Sequence, residues 1–91
     1  MDVYNENGHN YLIYAVKDEL AGKLHQPIFI ESDEEAKRWF AYVLNSTELW
    51  KMNPSEFNLY RLGTFNDKTG IGEYPMMELI QGGLGVLKKG E

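Results

Sequence analysis

The chain has 91 residues, a formal net charge of −5 and many rings: two Trp, six Tyr and four Phe. That length holds one domain, which buries about 60–65% of its unfolded surface around a single core. The acidic balance argues against tight, charge-driven binding to duplex DNA. The absence of cysteine excludes disulfides, a thiol nucleophile and a cysteine-based zinc site.

Residues 1–10 are polar and read as a flexible N-terminal segment with no signal-peptide core. No run approaches membrane-spanning length, and a cysteine-free chain fits a reducing compartment. Tyr11 to Lys17 predicts a strand, with Leu12, Tyr14 and Val16 on one face and Tyr11, Ile13 and Ala15 on the other. Residues 18–26 form a turn region around Ala21-Gly22. Pro27 to Glu31 predicts a second strand, with Pro27 at its first position, where a missing N–H does least harm. The two strands pair most simply as a hairpin.

Ser32-Asp33-Glu34-Glu35 matches a capping box, and Ala36, Trp39, Phe40, Val43 and Leu44 then recur at helical spacing. This predicts a helix ending near Asn45-Ser46, with Trp39, Phe40, Val43 and Leu44 anchoring the core. The acidic cluster at its start complements the helix dipole. Asn53-Pro54-Ser55-Glu56 is a second helical start, with Met52 and Phe57 placed for a hydrophobic staple. Asn58 to Phe65 predicts a strand, residues 66–70 a turn with Gly70 at positive φ, and Ile71 to Tyr74 the returning strand. Met76 to Gln81 reads as a helical turn stopped by Gly82-Gly83. The expectation is an α+β fold, β-β-α-β-β, with a small, mainly antiparallel sheet and one helix on one face. The domain spans 11–81, and 82–91 is a flexible Gly-rich tail. One helix covers one face, so the other needs a terminal segment, a second subunit or a flat ligand such as nucleic-acid bases.

Signatures of catalysis do not assemble. His9 and His25 lack metal-ligand spacing, and no nucleophile elbow or Walker loop occurs. The expectation is a protein that is not an enzyme, with no cofactor and no metal. One constellation stands out: Tyr11, Tyr14, Phe29 and Tyr60 on strands, with Lys17, Lys23 and Arg61 nearby. Rings that stack bases and cations that follow the backbone make a single-strand-binding surface. The same rings also suit a core or a subunit interface, and both readings stand at this point.

Tyr14-Ala15-Val16-Lys17-Asp18 followed by Gln26-Pro27-Ile28-Phe29 resembles the opening of the small non-structural protein of gokushovirus-type microviruses, phages with circular single-stranded DNA. Ala36-Lys37-Arg38-Trp39-Phe40 and Asn45 resemble its A-x-R-x-F…N helix. Pro54-Ser55-Glu56-Phe57 through Gly63 to Thr69-Gly70 resembles its strand and turn segment. The likeness runs from about Ile13 to Gly70. It implies a non-catalytic protein that binds single-stranded DNA in the bacterial host cytoplasm. The implied role is in viral DNA replication, or in the switch to single-strand synthesis and genome packaging. The candidate nucleic-acid-binding residues are Tyr14, Lys17, Lys23, Arg38, Tyr60 and Arg61, of which Lys17 and Arg38 fall on matching positions. The expected partners are single-stranded DNA and a second copy in a homodimer or higher homo-oligomer, with no membrane. The alternative is a protein-interaction module that binds itself, a phage replication protein or a host protein without touching DNA.

Overall fold

The computed structural model describes residues 8–75 and 77–88. Strand β1 (Asn10–Asp18) forms over the alternating, ring-rich run. The chain turns where the Asp18 carboxylate accepts the Ala21 N–H at 3.1 Å. It then returns as β2 (Lys23–Leu24) and β3 (Ile28–Ile30), both antiparallel to β1. Ser32 caps helix α1 (Asp33–Ser46), its Oγ accepting the Glu35 N–H at 3.2 Å. A short helix, α2 (Glu48–Met52), and a 3₁₀ turn at Pro54–Glu56 lead into β4 (Phe57–Asn66). Asn66 Oδ1 accepts the N–H groups of Lys68 and Thr69, and Gly70 completes that turn at φ +74°, the region glycine tolerates best. Strands β5 (Gly72–Glu73) and β6 (Glu78–Gly82) then pair antiparallel with β4. A second 3₁₀ turn, Gly83–Val86, follows.

The result is an α+β fold. β1 and β4 form the centre of a six-stranded open sheet, with β2 and β3 on the outer side of β1 and β5 and β6 on the outer side of β4. Helix α1 lies on one face. Its Ala36, Phe40 and Leu44, four residues apart, are fully buried against Tyr14, Val16, Phe57 and Leu59, with Leu12, Ile28 and Ile30 packed around them. Phe40 and Leu44 are therefore the helix's anchors. Trp39 packs at the core's margin, and Val43 is only half-buried.

Three further sequence expectations change. Residues 78–82 are a strand rather than part of a helical turn, because β4 has an open edge whose N–H and C=O groups need partners. The segment beginning at Gly82 does not stand away as a tail. Gly83 is buried so tightly that a Cβ there would lie 2.2 Å from the Pro54 carbonyl and 2.4 Å from that of Phe57. Its glycine serves close approach, not mobility. Further on, Asn45 donates from Nδ2 to the Val86 carbonyl at 2.9 Å, and its Oδ1 accepts the Lys88 N–H at 2.9 Å. The staple between Met52 and Phe57 is absent, since Met52 is exposed while Phe57 packs under Trp50 at 5.0 Å. Residues 1–7 of the N-terminal segment and 89–91 of the tail lie outside the described residues.

Candidate nucleic-acid interface

Side chains alternate along a strand, so the face turned away from α1 carries Tyr11, Ile13, Ala15 and Lys17 of β1. Register places their neighbours: Phe65 opposite Tyr11, Phe29 and Gly63 opposite Ile13, Tyr60 opposite Ala15, and Asn58 and Leu24 opposite Lys17. On the far side of β4, Leu79 sits opposite Tyr60. Three rings run together here. Phe29 stacks on Phe65 at 5.3 Å with an interplanar angle of 18°, and on Tyr11 at 6.3 Å and 28°. His9 extends the row, 4.6 Å from Tyr11. Phe29 is 54% exposed and Leu79 56%, so the face presents apolar surface to solvent.

Its polar end is a closed cluster. Glu19 accepts from the Tyr60 hydroxyl at 2.7 Å and from Asn58 Nδ2 at 2.9 Å, with Lys17 Nζ 3.6 Å away. Hydrogen bonds from Tyr60 and Asn58, then the Lys17 charge, hold the Glu19 carboxyl below its usual range. Lys17 Nζ also lies 5.9 Å from the centre of the Tyr60 ring, within cation–π reach.

Of the six residues singled out from sequence, the fold brings together only Lys17 and Tyr60 on this face. Tyr14 is fully buried on the helix side, where its hydroxyl donates to Asp33. Burial, and then the Asp33 bond, push its phenol well up. It cannot stack a base. Arg61 points to the same side. Its Nη1 lies 2.8 and 2.7 Å from the two Asp33 oxygens, and its Nη2 lies 2.5 Å from Glu78. Its guanidinium is a structural clamp, already neutralised, and does not offer phosphate a free charge. Lys23 is exposed on the edge strand β2, and Arg38 lies on the outer side of α1.

Phe65 is the site residue that strand alternation conceals. A regular strand would put Tyr60 and Phe65 on opposite faces. The register shift between Ile13 and Tyr14 leaves Leu62 as an extra residue in β4, a bulge that returns Phe65 to the face of Tyr60. No pattern in the residues themselves announces it.

A family model described as phage ORF5 protein matches residues 11–83. The chain belongs to that phage family. The match takes in α1 and every strand but for Asn10 of β1, and so contains Tyr11, Phe29, Tyr60 and Phe65. The same comparisons find no match among curated proteins and none among solved structures. No helix among the described residues is long and apolar enough to cross a membrane.

Proposed function

We propose that this phage ORF5 family protein is a non-catalytic module that binds single-stranded DNA in the host cell during genome replication or packaging. The observation that carries the reading is the row Tyr11, Phe29 and Phe65 on an open sheet face, with the Lys17–Tyr60 pair beside it. Rings on a rigid sheet stack bases of any sequence, each base worth about 1–3 kcal/mol. A single strand exposes those faces, whereas a duplex hides them. The resemblance to microvirus non-structural proteins supports the same polymer and the same stage of infection.

The test is fluorescence anisotropy of a labelled oligo(dT) with the parent and with Phe29→Ala and Phe65→Ala. Each change should weaken binding by roughly 5- to 150-fold, the equivalent of one lost stack. Parent-like affinity in both variants would remove the face from the interface.

A second reading is self-association through this face, with a replication or host protein as a further candidate partner. It is favoured by the carboxylates at this face, where Glu19 neutralises Lys17 and Glu31 lies 3.3 Å from His9 at the end of the ring row, while Phe29 and Leu79 supply exposed apolar surface. Light scattering separates the two readings. A dimer that Phe29→Ser dissociates, with no oligonucleotide affinity in either form, favours the second.

A further inference from the structure

On α1 the buried stripe is Ala36, Phe40 and Leu44, so residues two positions further along, Arg38, Tyr42 and Ser46, point away from the sheet. There they line a groove of about 460 Å³ together with Ala41, Asn45, Lys51 and Lys88. Three of the chain's nine Lys and Arg residues meet in this groove, in a protein of net charge −5. No Asp or Glu is among the residues that line it. Two cations outside it are matched, Lys17 by Glu19 and Arg61 by Asp33 and Glu78, while Lys23 and Lys37 make no ion pair among the described residues. Arg38, Lys51 and Lys88 make no ion pair among the described residues, although Glu34 lies one turn before Arg38.

The three charges also have a fixed frame. Arg38 and Lys51 stand on α1 and α2. Lys88 is tied down through its own N–H by Asn45, whose amide is in turn held by the Ala41 and Val86 carbonyls at 2.7 and 2.9 Å. Part of the ordering cost of gathering them is therefore met by the fold. Concave sites of one sign focus their field on a counter-ion. The negative end of α1 contributes about half a charge against three full positive ones.

We propose that this groove is a phosphate-binding site that takes the phosphodiester backbone of a single strand, separately from the ring-bearing sheet face. Arg38 supplies a planar fork suited to phosphate oxygens, and Lys51 and Lys88 supply point charges. Tyr42, 73% exposed at the groove, offers a ring to a neighbouring base, which free phosphate would not use. The volume lies in the range of small-ligand pockets, about 300–1,000 Å³, and so exceeds the needs of one phosphate. The proposal rests on the single-strand reading above for the identity of the polymer. Because the groove and the rings lie on opposite sides of the α1–sheet sandwich, one copy can hold two segments of strand.

The experiment is a salt titration of oligo(dT) binding by the full chain, compared with Arg38→Gln, Lys51→Gln, Lys88→Gln and the triple variant. All three side chains sit at the surface, so each variant should fold, and circular dichroism is the check. On single strands each neutralised phosphate contributes about 0.7 to the slope of log K against log salt. Each single change should flatten the slope by about 0.7 and the triple change by about 2. Phe29→Ala should weaken binding with the slope unchanged. If the groove variants keep the parent slope and affinity while Phe29→Ala weakens binding, the groove proposal is overturned and the sheet reading stands. If only the groove variants weaken binding, the groove stands and the sheet reading fails. Calorimetry with inorganic phosphate forms a separate arm. Binding of phosphate lost in the triple variant, with oligonucleotide affinity unaffected, makes this a free-phosphate site and overturns the strand proposal. Absence of any oligo(dT) binding by the parent at low salt overturns it as well.

Discussion

Arg61→Gln separates a structural cation from a ligand-facing one. Arg61 bridges Asp33, in the first turn of α1, to Glu78 on the edge strand β6. The Arg61 and Asp33 side chains are 28% and 33% exposed, and that of Glu78 is 64% exposed. Losing one partner of a buried ion pair costs about 3–5 kcal/mol, whereas an exposed pair is worth at most about 1 kcal/mol. The Asp33 link lies between these limits and the Glu78 link near the lower one. Asp33 also retains the Tyr14 hydroxyl after the change, so it is not left bare. The expected loss is therefore about 1–2 kcal/mol. In a domain of this size that lowers Tm by roughly 4–16 °C. Urea denaturation should show a lower midpoint with an unchanged m value, and oligo(dT) binding by the folded variant should keep the parent salt slope. An unchanged midpoint with a slope flattened by about 0.7 would refute the reasoning and return Arg61 to the nucleic-acid interface.

Phe40→Ala, at a fully buried position facing Tyr14 and Leu59, should cost about 3–5 kcal/mol, and an unchanged melting temperature would contradict the assigned core. Acid should destabilise the protein through Asp33 and Glu19. The Asp33 carboxyl is held down first by the Tyr14 hydrogen bond and then by Arg61, and that of Glu19 by Tyr60 and Asn58. With folded values depressed, the unfolded chain takes up these protons first. The stabilisation is thus complete above the ordinary carboxylate range, about pH 4, and is lost as pH falls through the folded values. Asp33→Asn and Glu19→Gln should each flatten the fall of the urea midpoint below about pH 5, and parent-like acid profiles in both would show the clusters to be inert. Tyr14 gives the opposite limb. Its raised phenol contributes below about pH 10, and that contribution is lost as pH rises beyond it.

Local signals that follow a fixed period were readable from the residues alone. The Ser32 cap, the stripe through Phe40 and Leu44 and the Gly70 turn depend on neighbours within a few positions, and the β1–β3 pairing joins two consecutive apolar runs across one turn region. What escaped depends on partners far along the chain. β6 exists because β4 has an edge to fill. Gly83 looks like flexible tail until the close approach of Pro54 and Phe57 is known. The bulge at Leu62 reverses which face Phe65 occupies. Charge was the hardest to place. Arg61 and Lys17 stand beside rings in the sequence, yet both are matched by carboxylates: Arg61 by Asp33 on another element, and Lys17 by Glu19 only two residues on. Arg38, Lys51 and Lys88, scattered across the chain, converge instead because Asn45 ties the C-terminal segment to α1.

The central claim, that the open sheet face receives single-stranded DNA, is tested most directly by mapping amide chemical shifts on addition of oligo(dT) at low salt. The account predicts perturbations concentrated on β1, β3 and β4 around Tyr11, Phe29 and Phe65, saturating with the oligonucleotide. Saturating binding that leaves these three strands unperturbed, or no perturbation anywhere at millimolar oligonucleotide, would contradict it.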